Sequence, residues 1–408
     1  MKNKYDYKKI LVFMGLFVLP IYFYISSSCL SSNFWYLSYD RFMDFFNSVR
    51  DACSGVTYTE RKVIYPPMIN LFYRCLGKYM EQDYTHSDFD SRLNAYVYPN
   101  VMVIFMFYNV VLIALLTLVL YKSLRISDKY RYLIIGFILL SNPMLYAFER
   151  GNSILICLVL ILLYLLLSDS QNKFMQELAL IFLACAINIK IYPVFIALIL
   201  LSNKELKKCI RTAVYSVILF LAGFIFYGGI EGVKTYFSNI FGYSNATYNP
   251  SIIGKSDIKS YMDTLQFISP LVKNIVVIAL FLSALAIIFV AREQWQKWLA
   301  CCWIMLNIPG VSLYYNWIFF IIPYFMFFND RFSKEYEKIF AFLITSIFIF
   351  YPYNFNTFKD YGFPCSINLA GSCVLSGIIG IFMLVLLLDN SFRIFKQYKN
   401  RQKEAQTE

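Results

Sequence analysis

Residues 101–121, VMVIFMFYNVVLIALLTLVLY, hold no charged side chain. Wound as a helix, they measure about 31 Å, enough to cross a hydrocarbon core of about 30 Å. Comparable apolar runs, each roughly 17 to 25 residues long, recur on both sides of this one and read as about twelve spans. The composition agrees: 59% of the 408 residues are hydrophobic and only 15% charged, which leaves too little polar surface for a water-soluble globule. The expected fold class is an all-α polytopic membrane protein forming one integral membrane domain over residues 1–408. No internal repeat or low-complexity segment stands out.

Charge placement sets the expected topology. Lys2, Lys4, Lys8 and Lys9 precede a first apolar run, Ile10 to roughly Ile25, which reads as a signal anchor with a cytoplasmic amino terminus. Basic residues recur in alternate connections, at Lys122 to Arg131, Lys173, Lys204 to Arg211, Arg292 and Lys297, Arg331 to Lys338, and in the tail from Arg393. The short connections between them keep only Arg150, Lys190 and Lys359. By the positive-inside rule both termini are cytoplasmic, in a multi-pass protein of the plasma (inner) membrane. Two long loops, residues 28–100 and 231–269, then lie on the extracytoplasmic side. The net charge of +12 follows this topology, and with no basic and aromatic surface module, nucleic acid is not an expected partner.

Within the first loop, Phe42, Phe45, Phe46, Val49 and Cys53 recur at helical spacing, Asp40, Asp44, Asn47 and Asp51 fall on the other side, and Gly55 closes the pattern. A helix lying flat on the outer leaflet, with its carboxylates raised into a cavity, fits this spacing; so does a plain interfacial helix with solvated acids. Tyr65-Pro66-Pro67 then stops the chain, and Met68 to Leu76 reads as a second short apolar helix.

Two further clusters interrupt apolar sequence. Phe148-Glu149-Arg150-Gly151-Asn152 is wedged between two spans, where ionisable groups are costly and pair with each other or with a polar ligand. Asn188-Ile189-Lys190-Ile191-Tyr192-Pro193 sits within an apolar stretch too long for one span, which suggests a broken helix or a helix pair. A Glu149–Arg150 pair, or a Lys190 snorkelling to headgroups, would be the bland alternatives. Against them, charge counting alone puts Asp44, Arg150 and Lys190 on one face of the membrane.

The order of these motifs resembles glycosyltransferase family 87: Asp44-Phe45, Tyr65-Pro66-Pro67, a Gly-Asn turn opening a span, then Lys190-Ile191-Tyr192-Pro193. The family's turn commonly reads Gly-Gln-x-Asn and its later motif Lys-Pro-Tyr-Pro; here the Gln is absent and Ile191 replaces the first proline. Weaker likeness extends to Asn245–Gly254 and Pro309–Pro323. The resemblance implies a GT-C-type transferase that moves a hexose, mannose among the candidates, from a polyprenyl-phosphate donor to a glycan or glycolipid acceptor. It implies a first-loop aspartate as base, with Asp44 the candidate and Asp40 in reserve. Arg150 and Lys190 would then hold the donor phosphate, and Asp40, Tyr65, Glu149, Asn152 and Tyr192 would line the substrate.

Residue supply removes other chemistries. His86 is the only histidine, so neither a histidine-based triad nor a multi-histidine metal site is available, and no metal or cofactor is expected. Gly254-Lys255-Ser256 lacks the upstream glycine of a phosphate loop. The ten cysteines form no Cys-x-x-Cys pair. Two rivals remain, a transporter or flippase of lipid-linked saccharides and a polysaccharide polymerase. The first would line its spans with charge through the full membrane depth, and the second would carry outer loops richer in arginine.

Overall fold

In the computed structural model every element among the described residues is a helix, as expected of a chain that must satisfy its backbone internally in lipid. The structure describes residues 43–80, 98–126, 128–245, 257–259, 267–307, 312–329 and 370–407, together with Thr85, Met262, Thr345 and Phe348. The expected anchor at Ile10–Ile25, Asp40, His86, Gly254–Ser256 and the last loop from Tyr351 lie outside them. The chain divides into two units, Pro20–Val194 with Leu206–Tyr248, and Phe195–Glu205 with Met1–Leu19 and Asn249–Glu408.

The first unit holds α1 (Met43–Cys53), α2 (Pro67–Gly77), α3 (Pro99–Ser123), α4 (Asp128–Leu139), α5 (Asn142–Arg150), α6 (Ile154–Ser168) and α7 (Lys173–Ile187). Past the second unit's α8 (Ile196–Ser202) it adds α9 (Leu206–Phe224) and α10 (Gly229–Asn245). The second unit continues with α11 (Pro270–Val290), α12 (Gln294–Asn307), α13 (Ile321–Asn329) and α14 (Ala370–Thr407). In it, the Lys297 ammonium is buried and donates to Ser202 Oγ at 2.8 Å and Asn203 Oδ1 at 2.7 Å, so neutral oxygens satisfy the cation.

Among the described residues three helices are long and apolar enough to span, Pro99–Ser123, Pro270–Val290 and Ser376–Asn400. The number rises to five if two bent pairs, α4 with α5 at 52° and α9 with α10 at 107°, each count as one span. That is short of the twelve or so read from hydropathy. Part of the difference is length: α6 and α7 are apolar but only 15 residues each, about 22 Å of helix. The outer loop expected from Glu231 opens as helix α10.

α3 shows how a span divides its faces. Val101, Phe105, Tyr108, Leu112, Leu116 and Val119, three or four residues apart, are buried, while Val103, Phe107, Val110 and Leu118 are exposed on the side left for lipid.

α1 and α2 form as their sequence predicts. Gly55 takes φ +73° just past α1, and Pro67 opens α2 behind an extended Pro66. The apolar face of α1, however, is not laid on a membrane surface. Phe45, Phe46 and Val49 are almost wholly buried, and the Phe45 ring packs 5.9 Å from Tyr73 of α2 and 5.2 and 5.0 Å from Phe105 and Tyr108 of α3. Aromatic side chains of the same unit therefore cover the face that periodicity alone would lend to lipid.

The loop between α1 and α2 is tied from several directions. The Tyr58 hydroxyl donates to the Tyr65 carbonyl at 2.9 Å, and the buried Asn70 amide donates to the Tyr58 oxygen at 2.8 Å. Asn239 on α10 donates to the Tyr58 carbonyl at 2.8 Å, above a cluster of Tyr58, Val63, Phe224 and Tyr236. These bonds hold the Tyr65 backbone beside α1.

Candidate active site

The local fold of α5 explains how an arginine and an asparagine are aimed at α1. α5 ends with the Gly151 amide donating to the Phe148 carbonyl at 3.0 Å and the Asn152 amide to the Ala147 carbonyl at 3.1 Å, with Gly151 at φ +60°. This left-handed glycine cap turns the chain sharply into α6. The Asn152 side chain then serves both sides: its Oδ1 accepts the Ile154 amide at 2.9 Å, which caps the first turn of α6, and its Nδ2 donates to Asp44 Oδ2 at 2.7 Å. The first bond assigns the amide's orientation, which makes the second a donor to the carboxylate.

Gly151 also has no room for a side chain. A Cβ there would sit 2.6 Å from the Phe105 ring and 2.7 Å from Phe45 Cβ. Gly151→Ala is therefore expected to lower stability by roughly 2–4 kcal/mol, from overpacking and the left-handed backbone together. The thermal midpoint of the solubilised protein would register this, and a midpoint unchanged from wild type would contradict it.

Asp44, in the first turn of α1, is clasped by Arg150. Arg150 Nε donates to Oδ2 at 2.7 Å and Nη2 to Oδ1 at 2.6 Å, a two-pronged pair between residues 106 positions apart. The pair is largely buried, with 9% of the Arg150 side chain and 16% of Asp44 exposed. Oδ2 thus accepts two bonds and Oδ1 one, leaving a lone pair on Oδ1. Burial alone would raise the Asp44 carboxyl, but the Arg150 charge and hydrogen bond, with Asn152 and Lys190, bring it below its ordinary value.

Lys190 lies in the turn after α7, its Nζ 4.1 Å from the centre of the Tyr65 ring and within electrostatic reach of Asp44 and Arg150. α7 ends at Ile187 and the chain restarts as a 3-10 turn at Tyr192–Phe195, the break anticipated for this stretch. Asn188 stabilises the break by donating to the Ala184 carbonyl at 2.9 Å and the Ser216 carbonyl at 3.0 Å. Burial pulls the Lys190 ammonium down to about 8, opposed only in part by the Asp44 carboxylate. The Tyr65 hydroxyl is pushed up by burial and by Asp44, and lies within hydrogen-bond reach of Asn152.

Of the residues singled out from the sequence, Asp44, Tyr65, Arg150, Asn152 and Lys190 thus come together. Tyr192 is half-buried, with its hydroxyl in the neighbourhood of Tyr65 and Cys157. Glu149 is half-buried in the last turn of α5, whereas the fork of its neighbour Arg150 is directed at Asp44. The sequence reading missed Tyr146, one turn before Arg150, whose ring centre is 5.7 Å from the guanidinium carbon, and Asn70, which helps hold the Tyr65 carbonyl. The spacing of Tyr146 and Arg150 on one helix was the available signal for the first. Asn70 carried none. A cavity of about 240 Å³ opens beside α1 and is lined by Asp44, Asn47, Asp51, Arg61, Tyr65 and their neighbours. Among the described residues no group of three His, Cys, Asp or Glu could hold a metal ion.

A carboxylate, a fixed amide and two cations at a buried spot beside a cavity can accept a proton and bind an anionic group. No curated protein matches the chain. The model of glycosyltransferase family 87 matches residues 64–309, which include Tyr65, Arg150, Asn152, Lys190 and Tyr192; Asp44 precedes the matched region. That match covers more than half of the 408 residues, and the chain, a membrane glycosyltransferase, belongs to glycosyltransferase family 87.

Proposed function

We propose that this protein transfers a hexose from a polyprenyl-phosphate donor to a hydroxyl of a glycan or glycolipid acceptor, by a single displacement that inverts the anomeric centre. The extracytoplasmic face is assigned from the distribution of lysine and arginine. The observation that carries the reading is the convergence of Asp44, Arg150, Asn152 and Lys190 from three separate segments on one largely buried point.

In this reading the acceptor O–H gives its proton to Asp44 as its oxygen bonds to C1 of the donor sugar. The C1–O bond to phosphate breaks, and its electron pair stays on the phosphate oxygen, leaving polyprenyl phosphate. The leaving group needs no acid, only cations in a water-poor site, and Arg150 and Lys190 supply them. Before donor binding, Arg150 neutralises Asp44 and weakens it as a base. A donor phosphate that draws part of the guanidinium fork to itself strengthens the base at the moment it is needed.

The test is direct: purified protein supplied with polyprenyl-phosphate hexoses and candidate acceptors should release polyprenyl phosphate and form the glycoside. Transfer from a soluble nucleotide sugar alone would overturn the donor class.

Lys190 adds a pH dependence. A donor phosphodiester stays anionic across neutral and alkaline pH, and only the charged amine attracts it, so kcat/KM for donor is expected to fall as pH rises through about 8. Lys190→Met should cost roughly 10–100-fold in kcat/KM, the worth of one charge-assisted bond, and erase that alkaline limb. A limb that survives in the variant would belong to another group.

A further inference from the structure

We infer that the cavity beside α1 is the acceptor subsite and that it takes a terminal sugar ring by its hydroxyls, Asn47 and Arg61 being the residues that select it. This rests on the donor reading above.

The cavity measures about 240 Å³, below the roughly 300–1,000 Å³ of pockets that hold drug-sized ligands, so it suits one ring. Its wall along α1 carries Asp44, Asn47 and Asp51, on one face at helical spacing. Asn47 Oδ1 is buried and, among the described residues, has no hydrogen-bond partner, an expense that would be removed if the side chain turned into the cavity to meet a bound hydroxyl. Asp51 commits Oδ1 to Arg50, at 3.2 and 2.8 Å. Arg61 touches Asp51 only loosely, at 3.9 Å, with 28% of its side chain exposed. Oxygen acceptors on α1 and a guanidinium donor thus line one small hollow, the pairing that a hydroxyl, both donor and acceptor, satisfies at once.

The alternative occupant is the donor's own sugar. Arg150, Asn152 and Lys190 are not among the residues lining the cavity, whereas Asp44 is. From Asp44 the wall runs to Asp51, seven residues or about 10 Å of helix. A hexose bonded directly to a phosphate held at Lys190 has no need of that far end. An acceptor whose reacting hydroxyl meets the open lone pair of Asp44 Oδ1 uses the whole wall.

The test uses the full chain in lipid nanodiscs, with empty nanodiscs as control. The probes are octyl α-mannoside, octyl β-glucoside and octyl β-galactoside below their micellar concentrations, read by saturation-transfer NMR, and polyprenyl phosphate, read by thermal shift. At least one glycoside should bind saturably, Asn47→Ala and Arg61→Ala should each weaken it at least tenfold, and polyprenyl phosphate should bind both variants within twofold of wild type. The inference is overturned if no glycoside binds, if both variants bind it within twofold of wild type, or if polyprenyl phosphate affinity falls in step with glycoside affinity. If glycoside binding behaves as expected while polyprenyl phosphate fails to bind wild type, the donor reading falls and the saccharide cleft stands.

Discussion

Asp44→Asn is expected to lower turnover by about 10²–10⁴-fold, the contribution typical of a positioned general base, while polyprenyl phosphate binds the variant as tightly as wild type or a few-fold tighter. The first effect follows because an amide cannot take the acceptor's proton. The second follows from geometry: Asp44 occupies two donors of Arg150, at 2.7 and 2.6 Å, and so competes with a phosphate for the same fork. Asparagine offers one oxygen and no charge, and the competition weakens. A merely misfolded variant would lose both activities, so the binding measurement separates the two causes. Turnover within threefold of wild type would remove Asp44 from the role of base and direct attention to Asp40.

Much of this arrangement was legible in the sequence because its signals are local. The spacing of Phe45, Phe46 and Val49 against Asp44, Asn47 and Asp51 announced α1; Gly55 and the prolines at 66 and 67 bounded it and started α2. The break at Asn188–Lys190 followed from an apolar stretch too long for one span, and α7 does end at Ile187. What was not legible depends on packing between distant segments. Arg150 was read as waiting for a phosphate, whereas its fork already holds a carboxylate 106 residues away. Gly151 was read as a turn, but its lack of a side chain equally lets Phe45 and Phe105 close over it. The apolar face of α1 was lent to lipid because periodicity shows that a face is buried without showing by what; rings from α2 and α3 cover it. Among the described residues three to five spans are long and apolar enough to cross, because hydropathy registers composition while helix length and bends decide what crosses.

Breaking the buried pair from its other side should cost most in stability. Arg150→Met removes the cation and leaves Asp44, with only 16% of its side chain exposed, facing Asn152 and the more distant Lys190; the expected loss is about 3–5 kcal/mol. Asp44→Asn combined with Arg150→Met removes the uncompensated charge as well, and much of that loss should be recovered, yet the double variant should stay inactive because base and phosphate ligand are both gone. The pH dependence distinguishes this account from simple loss of packing. In the wild type the Asp44 carboxyl is held below its unfolded value, so its contribution is present above roughly pH 4 and is lost as pH falls through the folded value. In Arg150→Met the largest lowering influence is gone and burial is left to raise the carboxyl, so ionisation now opposes folding. The single variant should therefore grow more stable as pH is lowered from neutral toward 5, and the double variant, with no carboxyl at position 44, should show no such slope. Thermal midpoints of the three proteins across that range decide it: a single variant whose midpoint does not rise on acidification would mean that Lys190 and Asn152 suffice to keep Asp44 charged, and that Arg150 is present for the phosphate alone.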